Sequence, residues 1–107
     1  PRARYDAVFS ANTAHIMSDA QVQAMFRGLP DVMAPGAPFL LYGPFNYEGR
    51  YTSESNARFD QWLRDRDPAS GINHFEDLAS LAEKAGLSFV ADHEMPANNR
   101  TLVWQRR

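Results

Sequence analysis

Two stretches hold the residue types that could do chemistry. In Ser10-Ala11-Asn12-Thr13-Ala14-His15, two hydroxyls, an amide and an imidazole crowd together. A neutral imidazole can take a proton from a hydroxyl or an amine, which makes His15 the candidate general base. The second stretch, NYEGRYTSESN, carries Asn46, Tyr47, Tyr51, Ser53 and Asn56. Tyrosines give flat walls with a polar tip, while Asn and Ser give orientable donors and acceptors, so these five are candidate substrate contacts. Asn99, in the turn MPANNR, is a further amide that could reach the same mouth.

Each candidate has a plainer explanation. Asn12 and Thr13 could satisfy backbone groups in a turn, Asn46 to Gly49 could be a turn, Ser53 a helix cap and Tyr51 a core plug. Arg50 and Arg58 could bind an anionic substrate group or simply pair with Glu48, Glu54 or Asp60. The three histidines lack metal-ligand spacing and cysteine is absent, so no metal site is expected.

Elements must position these residues. Phe39 to Tyr42 is a short apolar run between Pro35-Gly36 and Gly43-Pro44, as expected for a strand buried on both faces of a parallel sheet. The Asn46 to Asn56 loop then follows a strand's carboxyl end, where ligands sit in open α/β sheets. Upstream, Tyr5 to Ala11 reads as a strand. Ser18 and Gln21 form a capping box for a helix from Asp19 to about Gly28, with a break expected at Pro30. Thr52 or Ser53 can cap a second helix, stopped by Asp67-Pro68. Asn73 and Glu76 suggest another capping box, for a helix with Gly86 as its C′ residue. Leu87 to Glu94 alternates, with Leu87, Phe89, Ala91 and His93 on one face, and Thr101 to Gln105 returns antiparallel to it.

At 107 residues this is one domain at most, able to bury roughly two-thirds of its unfolded surface. The composition, 44% hydrophobic and 22% charged, excludes disorder. No apolar run approaches the ~18 residues of a membrane span, so no membrane partner is expected. A formal charge of −2 gives no electrostatic reason for nucleic-acid binding. PRARYDAVF lacks the features of a signal peptide, which makes a cytoplasmic location the expectation. The sequence also enters an apolar segment by Tyr5 with almost no lead-in, as a piece of something longer would.

A parallel α/β layer ending in an antiparallel hairpin resembles the C-terminal half of a class I S-adenosylmethionine-dependent methyltransferase. YDAVFSANTAHI is similar to that fold's fourth strand and following turn, LPDVMAPGAPFLLYGPF to its fifth strand, and LSFVADHEMPANNRTLVWQRR to its last two. GPFNYEGRYTSESNARFDQWLRDRDPASGI with MPANNRTLVW further resembles an uncharacterised methyltransferase-like family of unknown function, found in bacteria and animals. The likeness covers essentially the whole chain. It implies a partial Rossmann-like sheet, two parallel strands plus a C-terminal antiparallel hairpin with flanking helices, in which residues 1–107 form a single domain.

The resemblance also implies where the chemistry would be. Ser10, Asn12 and Thr13 come where the superfamily's cofactor methionine end sits, and an Asn amide there could hold a substrate atom in line with the sulfonium. Complete members of the family carry a glycine-rich turn and an acidic ribose-binding residue in an N-terminal half, and no such turn occurs in this sequence. The expectation is therefore the substrate side of a methyltransferase acting on a small molecule. S-adenosylmethionine would bind the complete protein, and the isolated chain would be inactive and bind none. The rival expectation is a non-catalytic binding or assembly module that forms a homodimer through the strand Tyr5 to Ala11.

Overall fold

The computed structural model describes residues 4–107. In chain order the elements are β1 (Val8–Ala11), α1 (Asp19–Val32), β2 (Pro38–Gly43), β3 (Phe45–Asn46), α2 (Glu54–Arg66), β4 (Asn73–His74), α3 (Phe75–Lys84), β5 (Leu87–Met95) and β6 (Asn99–Arg106). Four strands form the main sheet in the order β1-β2-β6-β5. β1 and β2 run parallel, while β6 is antiparallel to both β2 and β5. β3 and β4 make a separate parallel pair. This is the α/β arrangement expected, a parallel pair followed by an antiparallel hairpin.

One face of the sheet carries the core. Phe39 and Leu41 of β2 face the same way as Trp104 and Leu102 of β6, their register partners, and all four are buried. Phe26 of α1 closes on them edge-on, with ring centroids 5.9 Å from Phe39 and 5.7 Å from Trp104. Leu78 and Ala82 of α3 complete this layer. Among the described residues, no buried side chain covers the opposite face. β2 alternates half-buried and buried residues, so the expectation of burial on both faces is corrected to one. Its cause is that the helices packed on the core, α1 and α3, lie on the same side of the sheet.

Local chemistry explains where the helices begin and end. Ser18 caps α1 by accepting from the Gln21 N–H at 3.2 Å, while its own N–H donates to Gln21 Oε1 at 2.8 Å. The expected break at Pro30 does not occur. Pro30 stands in the last turn, where its missing N–H forfeits a single bond, and the Met33 N–H still reaches the Leu29 carbonyl at 3.0 Å. Burial of Leu29 and Met33 holds that turn in place.

Three further expectations need correcting. Asn73 does not cap α3, because it is drawn into β4 opposite Phe45; His74 takes the cap position without a side-chain bond, and Glu76 accepts from the Glu48 N–H instead. The first strand begins at Val8, not Tyr5: the chain bends at Asp6, and Tyr5 makes an isolated bridge to Met33. Finally, the β5 alternation is broken by a bulge between Phe89 and Ala91. Asp92 and Glu94 thereby join the face of Leu87 and Phe89, while Ala91 and His93 move to the other.

Candidate functional site

β1 and β2 end side by side, Ala11 opposite Tyr42. Beyond them Asn12 turns the chain with φ 56°, and its N–H donates to the Tyr42 carbonyl at 2.9 Å. A single helical turn, Ala14–Ile16, then sets His15 inside the mouth, 6% exposed. Two features fit the imidazole there. Gly43 lies against it, its Cβ position 3.6 Å from His15 Nδ1 and so at ordinary contact distance, and the Phe59 ring meets the imidazole edge-on at 5.5 Å.

These groups bound a cleft of about 410 Å³. Asn12 and His15 line it together with Pro44, Asn56 and Phe59. The last two lie three residues apart on α2 and so share a helix face. The hairpin turn supplies Ala97, Asn98 and Asn99, with Asn98 Nδ2 donating to Ser55 Oγ at 3.2 Å across to α2. Asn56 is 5% exposed and its Nδ2 donates to Thr52 Oγ1 at 3.0 Å, which fixes the amide plane. Asn99 Nδ2 is held by the Pro96 carbonyl at 3.2 Å.

The electrostatics suit proton acceptance. Burial lowers the His15 pKa below the ordinary histidine value, so the ring is neutral at neutral pH. Among the described residues, no Asp, Glu, Lys or Arg lines the cleft. Three of the lining residues, Asn12, Ala97 and Asn98, hold left-handed backbone without being glycine. Such outliers cost energy and concentrate at sites where geometry matters.

The other sequence candidates lie elsewhere. Ser10 and Thr13 bond their hydroxyls to one another, and neither lines the cleft. Asn46 is buried on β3, and its Oδ1 is without a partner among the described residues, as are Asn73 Nδ2 and His74 Nδ1 on β4. Tyr47 stacks on Phe75 and donates to Asp92 Oδ2 at 2.7 Å, while Arg100 Nε donates to Asp92 Oδ1 at 2.8 Å. Burial first, and then the Asp92 bond, push the Tyr47 phenol pKa up. Tyr51, 46% exposed, donates to Asp60, and Ser53 caps α2 through the Asn56 N–H at 3.0 Å. A second cleft, about 480 Å³ between the start of α1 and the 68–74 loop, contains none of the sequence candidates.

A sequence profile described as "Protein of unknown function (DUF938)" matches residues 1–106. The chain belongs to the DUF938 family. Its fold is shared with solved methyltransferases. An O-methyltransferase family 2 protein from Planctomyces limnophilus, solved in complex with apigenin, is 12% identical with a TM-score of 0.88, the match covering 97% of this chain and 31% of that one. A structure described as a putative O-methyltransferase from Nostoc punctiforme is 20% identical with a TM-score of 0.84, covering 97% and 32%. Human N-acetylserotonin methyltransferase, in complex with SAM, is 16% identical with a TM-score of 0.78, covering 94% and 29%. The DUF938 chain thus spans about a third of the length of the solved chains it matches.

Within this DUF938 chain, sequence reasoning missed Phe59 as a wall of the cleft and Asp60 as a buried carboxylate next to it on α2. Phe59 reads as core because it begins an apolar i, i+3, i+4 set with Trp62 and Leu63. The available signal was its spacing from Asn56, which puts both on one face. Asp60 reads as one surface charge among several, whereas it is 1% exposed. Nothing local marks it, because its partner Ile72 belongs to the loop beyond the helix.

Proposed function

We propose that this chain is the substrate-binding part of an S-adenosylmethionine-dependent methyltransferase acting on a small molecule, with the cleft around His15 as the acceptor pocket. The observation that carries this is convergence. Asn12 and His15, Asn56, and Asn99, from three separate segments of the sequence, meet in one cleft at the carboxyl ends of parallel strands. A fold shared with methyltransferases supports the same reading.

In this proposal His15 takes the proton of the acceptor's hydroxyl or amine, a role for which its neutral form is ready. Asn56 and Asn99 orient the acceptor through their amides, and Phe59 and Pro44 enclose its apolar part. With no Asp, Glu, Lys or Arg among the described lining residues, the cleft suits a neutral acceptor. S-adenosylmethionine supplies the electrophilic methyl group when bound to the complete protein. The residues present fit only one end of that donor. Asn12 faces the cleft, but Ser10 and Thr13 satisfy each other and no glycine-rich turn occurs in the sequence. The isolated chain is accordingly expected to be inactive.

The test is nuclear magnetic resonance of the 107-residue chain titrated with S-adenosylhomocysteine, and separately with a set of neutral phenols and aromatic amines. Shifts gathered at Asn12, His15, Asn56, Phe59 and Asn99 with the phenols or amines are the expected result. Saturable shifts confined to residues outside the cleft would overturn the assignment of the acceptor pocket.

A further inference from the structure

We infer that Asp60 is a positioning residue for His15, acting through the loop that follows α2. This rests on the reading of His15 as the general base. Asp60 is 1% exposed, and its carboxylate is saturated with donors. Oδ1 accepts from the Ile72 N–H at 2.8 Å, and Oδ2 accepts from Arg64 Nε at 3.1 Å and from the Tyr51 hydroxyl. The residue before Ile72 completes the connection: the Gly71 N–H donates to the His15 carbonyl at 2.9 Å. Ser70 adds a longer bond, Oγ to the Ile16 carbonyl at 3.4 Å. Asp60 therefore pins the loop on one side, and the loop pins the His15 turn on the other.

Gly71 is what lets the loop approach both. Its φ is +155°, and a Cβ there would stand 2.5 Å from Arg64 Nη2 and 3.1 Å from Asp60 Oδ1. The neighbour of Asp60 on the same helix, Phe59, meets the imidazole itself. α2 thus holds residue 15 twice, by its ring through Phe59 and by its carbonyl through Asp60 and Gly71. An ion pair whose carboxylate is buried while the Arg64 side chain is half-exposed is a poor way to gain stability alone, since the buried charge costs desolvation. It is a good way to fix a loop amide in direction, because a carboxylate accepts a charge-assisted bond with defined geometry. The charged and titratable groups facing Asp60 are Arg64 and Tyr51. The groups packed on the imidazole, Phe59 and Gly43, carry no charge.

The experiment compares the wild-type chain with Asp60→Asn and Tyr51→Phe by nuclear magnetic resonance, following the His15 ring titration and the hydrogen exchange of the Gly71 amide. His74, His93 and the Leu102 amide serve as internal references. In Asp60→Asn the Gly71 amide should exchange at least about tenfold faster while Leu102 holds, since the neighbouring Ile72 N–H, which anchors the loop, trades a charged acceptor for a neutral one. His15 should titrate closer to an ordinary histidine as its burial loosens. Tyr51→Phe, altering a half-exposed side chain, should move both readouts the same way by less. The direction is diagnostic. Simple loss of a nearby negative charge would make His15 harder to protonate and shift it the opposite way. Unchanged Gly71 exchange, or a His15 shift in that opposite direction, would overturn the inference. Should Asp60→Asn not fold, Tyr51→Phe decides it by the same criteria. Neither readout involves donor or acceptor. Failure of ligands to bind the cleft would leave the positioning role standing, and failure here would leave the cleft standing.

Discussion

Ala97 holds φ 61° on the rim of the cleft, a conformation that costs an L-residue about 1–2 kcal/mol. Glycine relieves that strain but adds unfolded-state freedom worth about 0.5–1 kcal/mol. Ala97→Gly is therefore expected to raise stability by about 0.5–1 kcal/mol in urea denaturation. A loss would mean that the methyl group packs. Titration behaviour belongs at the same scale. Burial pushes the Asp60 carboxyl up, but the bonds from Tyr51, Ile72 and Arg64 outweigh it and hold the group below the ordinary carboxylate range. His15 is also depressed, by burial. For both, the unfolded chain binds the proton more readily than the folded chain, so stability is lost as pH falls. Two losses are expected, one from His15 below its ordinary value of about 6.5 and one from Asp60 below about 4. In His15→Gln the urea midpoint should stay flat through the first window while the second loss persists. Residue types in the cleft were legible, since Asn12, His15, Asn56 and Asn99 are polar groups in stretches dense with hydrogen-bonding side chains. Burial was not, which is why Asp60 could be mistaken for a surface charge.

The elements whose boundaries are set by neighbouring residues follow the sequence, and those set by distant ones depart from it. The Ser18 and Gln21 capping box is complete within one turn, and α1 begins where it says. Ser18→Ala should cost about 1 kcal/mol, read as a lowered melting temperature, because two backbone donors at the helix start lose their arrangement. Asn73 and Glu76 have the same spacing, yet Asn73 pairs with Phe45 from a strand far upstream. Asn73→Ala should therefore show no capping loss, and the two substitutions side by side test whether one motif means different things at two places. The β5 bulge is illegible for a related reason. Inserting Val90 turns Asp92 inward only because β6 fixes the register, and the Tyr47, Asp92 and Arg100 network depends on that turn. Pro30 likewise departs from expectation because the packing of Leu29 and Met33 outweighs one missing bond.

At the scale of the whole molecule, the described residues leave one face of the sheet and its β1 edge uncovered. Phe9 is 64% exposed and Val90 54%, and Leu40, Tyr42 and Val103 on the same face are only half-buried. β1 borders this face and has no strand on its outer side among the described residues. An apolar edge of this kind is a template for pairing. We propose that in solution the isolated chain pairs β1 with β1 of a second copy across a two-fold axis, extending the sheet. Since β1 is only four residues long, few ladder bonds can form, and the association should depend on concentration. Sedimentation velocity over a range of concentrations is expected to show a monomer passing into a dimer, and Phe9→Lys should hold the chain monomeric with its fold unchanged by circular dichroism. A wild-type monomer at every concentration would rule out the pairing. Loss of the dimer in Phe9→Lys, with the His15 titration unaltered, would separate association at the edge from the chemistry of the cleft, because Phe9 lies on β1, exposed, whereas His15 is buried in the helical turn beyond that strand's end.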